Sequence, residues 1–353
     1  MILSSGESVR PALRSARLMS GATQAMGREA PLPLGGLAYG ALATEGRSAV
    51  GTVALPVLSG AAPVMDVWFD GRAAQQSGEC GSVRWRHDGT WLYGVLELEQ
   101  APADADFDTL CERAYCDVFE TLAHTGYTHL LRLWNYLPRI NDDEGGLERY
   151  RRFNVGRQRA FLRSGHPAFV GAPAACALGT RSGPLCVHFL AGREAPLAVE
   201  NPRQVSAYAY PDEYGPRSPS FSRAVLAEAG AGRVALLISG TSSIVGHRSV
   251  HADDPVAQTR ETLANLRAVL QSAHAHTSAR FDLAAMQCTV YLRHAAHLEP
   301  IRATLQAEIG HDAEAVRTAL YLQADICRSD LLVEIEAHAL AAGRIVTDGA
   351  TAP

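Results

Sequence analysis

The order of helices and strands predicted from the sequence occurs twice, and this repeat constrains the fold more than any single motif. In the first copy, apolar residues at helical spacing predict a helix over 106–125, and a strand follows at 128–134. An arginine-rich helix is predicted over 147–163, with two strands at 175–178 and 185–190. The predicted order is therefore helix, strand, helix, strand, strand.

The second copy begins roughly 150 residues later, which is a repeat of architecture rather than of sequence. Asp254 and Pro255 open its first predicted helix, because an N-cap aspartate followed by proline is a common helix start. Four predicted elements follow it: a strand at 288–292, a helix at 298–309, and strands at 319–326 and 331–339.

Two copies of this order predict an α+β protein with two related domains, each a mixed sheet with helices packed on one face. The length of 353 residues also fits two domains. We place the N-terminal domain at 1–200 and the C-terminal domain at 201–353, because a Glu-Asn-Pro segment interrupts the pattern there.

The chain contains no lysine, and all 32 of its basic residues are arginine. Without lysine, no Schiff base to a substrate or to pyridoxal phosphate can form on a side-chain amine. The Walker A lysine is missing as well. These absences exclude pyridoxal-phosphate enzymes, Schiff-base aldolases and standard P-loop nucleotide hydrolases. Every fixed positive side chain is a guanidinium, which suits bidentate binding of carboxylates.

Charge, hydropathy and cysteine content bound the partners and the location. A net charge of -5 argues against a nucleic-acid binder, and no apolar run approaches the roughly 20 residues that a membrane helix needs. The seven cysteines are odd in number and include no CxxC pair, which is typical of free thiols in a reducing compartment. We expect a cytoplasmic protein that binds neither nucleic acid nor a membrane.

Motifs that indicate a cofactor or a metal are missing from the sequence. There is no G-x-G-x-x-G after a predicted strand, no H-E-x-x-H and no G-x-S-x-G. His294 and His297 are three residues apart, but no third ligand stands at a matching spacing. We therefore predict no metal and no cofactor, so that side chains alone carry any chemistry.

Two segments rich in tyrosine and arginine are candidate binding elements. The helix predicted over 147–163 carries Tyr150 and Arg157, and a loop with two prolines and a glycine carries Tyr214 and Arg217. Their side chains supply hydrogen-bond donors and positive charge. A solvated basic helix and a purely structural loop are alternatives that composition leaves open.

Two predicted strands carry the candidate acid and its neighbours. Side chains alternate along the C-terminal strand, so Glu334 and Glu336 lie on one face. They form either a solvent-facing acidic stripe or a buried pair in which a raised pKa makes Glu334 a general acid. Cys327 reaches the same pocket if the chain turns after it. Gly240 lies in the other predicted strand.

Five segments together resemble the chorismatase family: LWNYLPRIN, YRRFNVGRQRAF, ENPRQVSAYAYPDEYGPRSP, ISGTSSIVGH and ICRSDLLVEIEAHAL. They follow the family's order and extend from about Trp134 to Leu340. The last segment also resembles the C-terminal signature of RidA-type imine deaminases, in which a glutamate at the Glu334 position faces a cleft. The resemblance implies two RidA-like (chorismate mutase-like) domains, a degenerate N-terminal one and a C-terminal one that carries the acid.

The resemblance implies a lyase that cleaves chorismate without a cofactor and releases pyruvate. A hydrolysing type in the family carries alanine at the Gly240 position, whereas Gly240 with Cys327 resembles the type that makes 3-hydroxybenzoate. Glu334 is then the proton donor to the enolpyruvyl group, and Cys327 lines the pocket. Arginine clamps and orienting donors for the two substrate carboxylates are expected from five residues: Tyr150, Arg157, Tyr214, Arg217 and Thr241.

Other outcomes fit the same resemblance. Chorismate can instead be hydrolysed to a dihydroxycyclohexadiene carboxylate, and a RidA-like domain can deaminate imines or bind a small molecule without catalysis. RidA-like domains often form trimers with sites between subunits, so a monomer and a homotrimer are both compatible with the sequence. Family membership also implies supply of an aromatic acid to secondary metabolism, such as antibiotic biosynthesis.

Overall fold

The structure is a computed structural model, and it describes residues 13–19, 33–40, 49–60, 62–69, 76–100 and 106–346. These ranges contain five α-helices: α1 (Phe107–Thr125), α2 (Arg149–Ser164), α3 (Pro255–His274), α4 (Leu298–Ile309) and α5 (Glu314–Arg317).

The described strands are numbered along the chain. The first ten are β1 (Arg14–Met19), β2 (Gly35–Tyr39), β3 (Val50–Val53), β4 (Val64–Phe69), β5 (Gln76–Cys80), β6 (Val83–His87), β7 (Trp91–Leu98), β8 (His129–Pro138), β9 (Ala174–Thr180) and β10 (Leu185–Gly192). The remaining nine are β11 (Leu197–Val199), β12 (Ala224–Gly230), β13 (Arg233–Ser242), β14 (Ile244–Val245), β15 (Arg248–Ser249), β16 (Gln287–Leu292), β17 (Leu320–Gln323), β18 (Asp325–Ile326) and β19 (Val333–Ala342).

Two large mixed sheets dominate the architecture. The first has the strand order β18-β9-β8-β10-β7-β6-β5, and the second has the order β11-β12-β13-β19-β16-β17. In each sheet one pair is parallel, β8 with β9 and β16 with β17, because a helix connects those two strands. A four-stranded sheet of order β1-β4-β2-β3 and the small β14-β15 hairpin complete the described strands.

Three apolar clusters show how the layers pack. Helices α1 and α2 cover the outer face of the first sheet in a cluster that includes Phe107, Phe153 and Phe189. Helices α3 and α4 cover the outer face of the second sheet in the same way. The third cluster joins the inner faces of both large sheets and takes in the four-stranded sheet, with Trp134, Tyr136, Leu237, Tyr291 and Trp68 among its members. The inner faces of the two large sheets therefore share one core.

Local sequence explains where the long helices begin and end. Asp106 caps α1 by accepting a hydrogen bond from the Thr109 amide at 3.0 Å. Gly126 ends that helix in the left-handed conformation, with φ of 73°. The Asp254 carboxylate accepts from the first two amides that follow Pro255 in α3, which leaves Pro255 at a position needing no amide hydrogen.

The predicted repeat is confirmed, and with it the α+β class. Each half contains helix, strand, helix and then further strands, with helices on one face of a mixed sheet. The prediction of a single strand over 319–326 was wrong. Residues 320–323 form β17 in the second sheet, whereas 325–326 form β18 at the edge of the first. Arg293 fixes the change of direction by pairing with Asp325 at 2.7 Å and donating to the Ile326 carbonyl.

The chain passes from the first sheet to the second between β10 and β11, because β11 pairs with β12. The division into 1–200 and 201–353 stays a prediction, and this pairing favours a boundary a few residues earlier. None of the described helices is long and apolar enough to span a membrane.

Candidate active site

A cavity, with about 600 Å³ of empty space when its opening to solvent is included, lies where the start of α2, the β11–β12 connection and strands β13 and β19 meet. Its walls carry glutamate and arginine side chains, whereas the cores on either side are apolar. The lining residues are Glu148, Tyr150, Arg151, Gln204, Tyr210, Tyr214, Pro219, Phe221, Arg223, Gly240, Ser242, Ile244, Cys327, Arg328 and Glu334.

Glu334 is the buried acid of this cavity, with 3% of its surface exposed. Ser242 Oγ lies 3.3 Å from Glu334 Oε2, whereas Oε1 has no hydrogen-bond partner within the described part of the chain. Burial, reinforced by the neighbouring charge of Glu336, raises the pKa of Glu334 to about 8. A carboxyl group in this state is protonated at neutral pH and can donate its proton. Glu336 is buried too, at 7%, so these two glutamates do not form a solvent-facing stripe.

Gly240 makes room for the acid. A β-bulge in β13 between Ile238 and Thr241 interrupts the pairing with β19 next to this residue. A Cβ atom at position 240 would overlap Glu334 Oε1 and approach the Cβ of Cys176 to 3.1 Å. Glu334 can therefore hold this position only because residue 240 has no side chain.

Cys327 and Glu334 line the same cavity although seven residues separate them. The chain turns between them, and the Leu331 amide donates to the Arg328 carbonyl at 3.1 Å. The turn foreseen after Cys327 is thus present. Burial raises the pKa of the Cys327 thiol to about 12, with the Glu334 charge as the second cause. Cys327 is therefore a neutral thiol in the cavity wall rather than a nucleophilic thiolate.

Two arginines of the cavity were missed by sequence reasoning. Arg328 stacks on the ring of Tyr214 at 4.0 Å and donates to the His247 carbonyl at 2.8 Å, but its Nη2 has no partner. Arg223 donates through Nη2 to Tyr210 Oη at 2.8 Å, and its Nε is likewise free. Neither has a carboxylate within 4 Å among the described residues, so each of these lining arginines keeps a buried N–H donor without a partner. Arg328 adjoins Cys327 in the quoted ICRSD segment, and that adjacency was the available signal.

The structure brings some of the predicted substrate contacts together and separates others. Tyr150 and Tyr214 line the cavity. Arg157 is 2% exposed and lies outside the lining, beside Tyr115 and 4.9 Å from the Phe153 ring centroid. Its Nε has no hydrogen-bond partner in the described chain.

The remaining two predicted contacts lie away from the lining. Arg217 is exposed on the loop that follows Tyr214. Thr241 points to the other face of β13 from Gly240 and Ser242, and its hydroxyl donates to the Ser239 carbonyl at 2.9 Å. Strand alternation explains the exclusion of Thr241, since its two neighbours occupy the inward positions.

Metal-ligating side chains do not cluster in the described ranges, where no group of three or more His, Cys, Asp or Glu residues could hold an ion. The absence of a cofactor stays a prediction.

Comparisons with known proteins agree with one another. A family profile described as "Chorismatase FkbO/Hyg5-like, N-terminal" matches residues 66–191. A 3-hydroxybenzoate synthase from Streptomyces hygroscopicus is 35% identical over 287 residues, which cover 78% of this chain and 81% of the relative. The chain belongs to the chorismatase family. A chorismatase from Streptomyces rapamycinicus is also 35% identical, over 270 residues that cover 74% of this chain and 78% of the relative.

A solved chorismatase shares the fold. Its crystal structure matches with a TM-score of 0.79 and 30% sequence identity, covering 94% of this chain and 99% of the chorismatase. The match extends over both large sheets, whereas the family profile ends at residue 191, before most of the cavity's lining residues.

Proposed function

We propose that the protein converts chorismate to 3-hydroxybenzoate and pyruvate without a cofactor, with Glu334 as the proton donor. The observation that carries this proposal is the buried Glu334 carboxyl, protonated at neutral pH and with Oε1 unpartnered beside the cavity. The first reaction step requires a proton on the enolpyruvyl methylene carbon, and a carboxylic acid of raised pKa is suited to deliver it.

The charges of the cavity suit a dianion. Chorismate has a ring carboxylate and an enolpyruvyl carboxylate, and Arg328 and Arg223 have nitrogen donors without partners. Guanidinium groups bind carboxylates through charge-assisted hydrogen bonds. Tyr150 and Tyr214 would orient the substrate from the wall. These two arginines replace Arg217 in the proposal, and Arg157 would act from behind Tyr150.

The fate of the cation decides the product. Proton transfer to the methylene carbon gives an oxocarbenium ion. If the neighbouring ring hydroxyl then displaces the pyruvyl oxygen, pyruvate leaves with its own oxygen and an arene-oxide-like intermediate remains. Opening of that ring with loss of a ring proton gives 3-hydroxybenzoate, and no net water is consumed. Water attack on the cation instead gives the dihydroxycyclohexadiene carboxylate.

Gly240 and Cys327 support 3-hydroxybenzoate as the product. Gly240 lets the Glu334 carboxyl lie against β13, which enlarges the cavity on that side. The neutral Cys327 thiol presents a weakly polar wall that binds water poorly. Both features favour a substrate pose in which the ring hydroxyl attacks the ring carbon that carries the ether oxygen before a water molecule reaches the oxocarbenium carbon.

The direct experiment mixes the protein with chorismate, follows pyruvate in a coupled assay and separates the aromatic product by chromatography. We expect equal amounts of pyruvate and 3-hydroxybenzoate. The diene diol as main product would overturn the product assignment. Ammonia released from an imine substrate, with no pyruvate from chorismate, would support a deaminase, and binding without turnover would support a binding module.

Labelled water distinguishes attack of the ring hydroxyl on the ring carbon from attack of water on the oxocarbenium carbon. The reaction is run in ¹⁸O water with lactate dehydrogenase, so that each pyruvate is reduced before its ketone oxygen exchanges. Displacement by the ring hydroxyl leaves the lactate hydroxyl unlabelled, whereas water attack introduces one ¹⁸O atom. Labelled lactate in the presence of 3-hydroxybenzoate would contradict the proposed displacement.

A further inference from the structure

An ion pair is buried behind the catalytic acid. Arg132 on β8 is 3% exposed and donates through Nη2 to Glu336 Oε2, and through Nη1 to the Ile238 carbonyl at 3.0 Å. The guanidinium also lies 5.3 Å from the Trp134 ring centroid. Neither Arg132 nor Glu336 lines the cavity of Glu334, so the pair has no direct access to substrate there.

A chain of phenol hydroxyls ends on the same carboxylate. Tyr291 Oη donates to Glu336 Oε1 at 3.0 Å, and Tyr136 Oη lies 3.1 Å from Tyr291 Oη. Tyr39 Oη lies 3.0 Å from Tyr136 Oη. Burial holds the pKa of all three phenols well above the ordinary value, so they remain protonated donors. Arg132 and this chain together surround the Glu336 carboxylate with a positive charge and a hydrogen-bond donor.

Glu336 is close to Glu334 because alternate residues of a strand share a face. Their positions on β19 are about 7 Å apart. Burial is the first cause of the raised pKa of Glu334 and the Glu336 charge is the second, while Ser242 and Arg132 act in the opposite direction. Glu334 therefore lies near an ion pair in which the Glu336 charge raises the pKa of Glu334 and the Arg132 charge lowers it.

Other titratable groups surround the two glutamates. From the strands and the turn after β18, they are Tyr39, Tyr93, Tyr136, Cys176, Cys288, Tyr291, Cys327, Arg328 and His338. Across the cavity they are Glu148, Tyr150, Arg151, Tyr210, Tyr214 and Arg223.

We propose that Arg132 and Glu336 are positioning residues that act as one unit, and that their mutual compensation keeps Glu334 in its proton-donating form. The proposal rests on the proposed function, in which Glu334 is the acid. A buried arginine stays charged. If Glu336 alone becomes neutral, the uncompensated guanidinium favours ionised Glu334 and removes the proton that catalysis needs. If Arg132 and Glu336 are both replaced by neutral residues, no uncompensated charge remains to favour ionised Glu334.

The pH dependence of kcat tests this unit. In the wild type, kcat falls as pH rises through about 8, because Glu334 loses its proton. In Glu336→Gln this alkaline fall moves down by one to two pH units, as estimated for one charge about 7 Å away at an effective dielectric constant of about 20. The rate recovers at acidic pH and KM changes little. The double variant Arg132→Gln/Glu336→Gln moves the fall most of the way back, and Arg132→Lys leaves it near the wild-type position.

A spectroscopic readout separates this proposal from the proposed function. Glutamate labelled with ¹³C at the carboxyl carbon gives a Glu334 resonance that Glu334→Gln identifies by its loss. Its titration is measured without substrate, so it remains informative even if chorismate is not turned over. The resonance should titrate at lower pH in Glu336→Gln than in the wild type. In the double variant its titration should move back toward the wild-type pH. An unchanged titration in Glu336→Gln, or no return in the double variant, would overturn the proposal.

A second ion pair, which is partly buried, provides the control. Arg17 pairs with Asp66 at 2.7 Å, and neither residue touches the cavity. Asp66→Asn leaves Arg17 without its carboxylate, as Glu336→Gln leaves Arg132 without its own, but away from Glu334. We expect a comparable loss of stability and an unchanged Glu334 titration. An equal shift in Asp66→Asn would mean that general loosening of the core, not the nearby charge, moves the acid. If Glu336→Gln does not fold, Arg132→Gln is compared with the double variant instead. In Arg132→Gln the Glu334 resonance should titrate at a higher pH than in the wild type.

Discussion

The last strand of each half occupies the same place in its sheet but carries different chemistry. In the first half β10 lies between β7 and β8, and in the second half β19 lies between β13 and β16. The registers match as well, because Cys186 faces Tyr136 across the first pair and Glu334 faces Tyr291 across the second. Cys186 therefore occupies the position in the first half that Glu334 occupies in the second.

The next inward position differs in the same way. His188 in the first half stands where Glu336 stands in the second. Burial lowers the pKa of His188 to about 3, so this imidazole is neutral where Glu336 carries a charge. Each half thus has a buried titratable pair on its inner face, and only the second pair includes a stabilised charge.

What covers each inner face explains the difference. In the first half the four-stranded sheet packs against it so closely that a Cβ at Gly51 would overlap the His188 ring. In the second half Glu334 faces the cavity instead. A shared framework therefore supports chemistry only where the inner face is left uncovered. Substitutions at matched positions in the two halves test this conclusion.

The largest expected difference lies between Glu334→Gln and Cys186→Ala. Glu334→Gln removes the transferable proton at nearly constant volume, and kcat for pyruvate release should fall by about 10²–10⁴-fold, the usual contribution of a general acid. Cys186→Ala removes a small buried side chain from the matching position and should leave kcat within about twofold while lowering stability, since no acid is lost. Steady-state kinetics and denaturant unfolding measure both. Normal turnover in Glu334→Gln would sink the assignment of the acid.

The two halves should also destabilise the fold at opposite ends of the pH range. Glu334 has a folded-state pKa of about 8, above its ordinary value of 4.5, so its contribution to stability is lost as pH rises from 4.5 to about 8. His188 has a folded-state pKa of about 3, below its ordinary value of 6.5, so its contribution is lost as pH falls from 6.5 to about 3. Each change should amount to a few kcal/mol.

Urea unfolding across pH measures these contributions. Relative to the wild type, Glu334→Gln should gain stability as pH rises to about 8, and His188→Gln should gain it as pH falls below 6.5. Parallel pH curves for all three proteins would show that neither group is held in its neutral form by burial.

Much of the fold could be predicted because helices and strands leave periodic patterns. The repeat, the start of α3 at Asp254 and Pro255 and the strand of Glu334 all follow from residue type and spacing. The split between β17 and β18 could not be predicted, because it depends on Arg293, whose partners lie about 30 residues away. The covering of the first half's inner face depends on contacts between distant strands for the same reason.

The candidate site could be predicted in part. Family motifs pointed to Glu334, Gly240 and Cys327, and all three line one cavity. The arginines were harder, because a chain with no lysine offers 32 similar positive residues. Which of them faces the cavity is decided by stacking and by unused donors, as for Arg328 on Tyr214, and neither property is visible in composition.

The smallest expected effects come from substituting two glycines, each of which packs against a buried titratable residue of one half. Gly240 lies against Glu334, and Gly51 lies against His188. Gly240→Ala should push the Glu334 carboxyl off its position, lower kcat by about tenfold, the cost of roughly 1.4 kcal/mol in the barrier, and move product toward the diene diol. Combining it with a substitution of Cys327 should move the product further.

Gly51→Ala should instead cost about 1–3 kcal/mol of stability through overpacking and leave kcat and product unchanged. Product chromatography beside denaturant unfolding distinguishes the two variants. An unchanged product ratio in Gly240→Ala would remove the reason for assigning 3-hydroxybenzoate, because the added methyl group has to displace the acid or the chain around it. If Gly51→Ala altered the product, the inner face of the first half would be coupled to the cavity after all. The division of labour between the halves would then have to be given up, even with Glu334 retained as the acid.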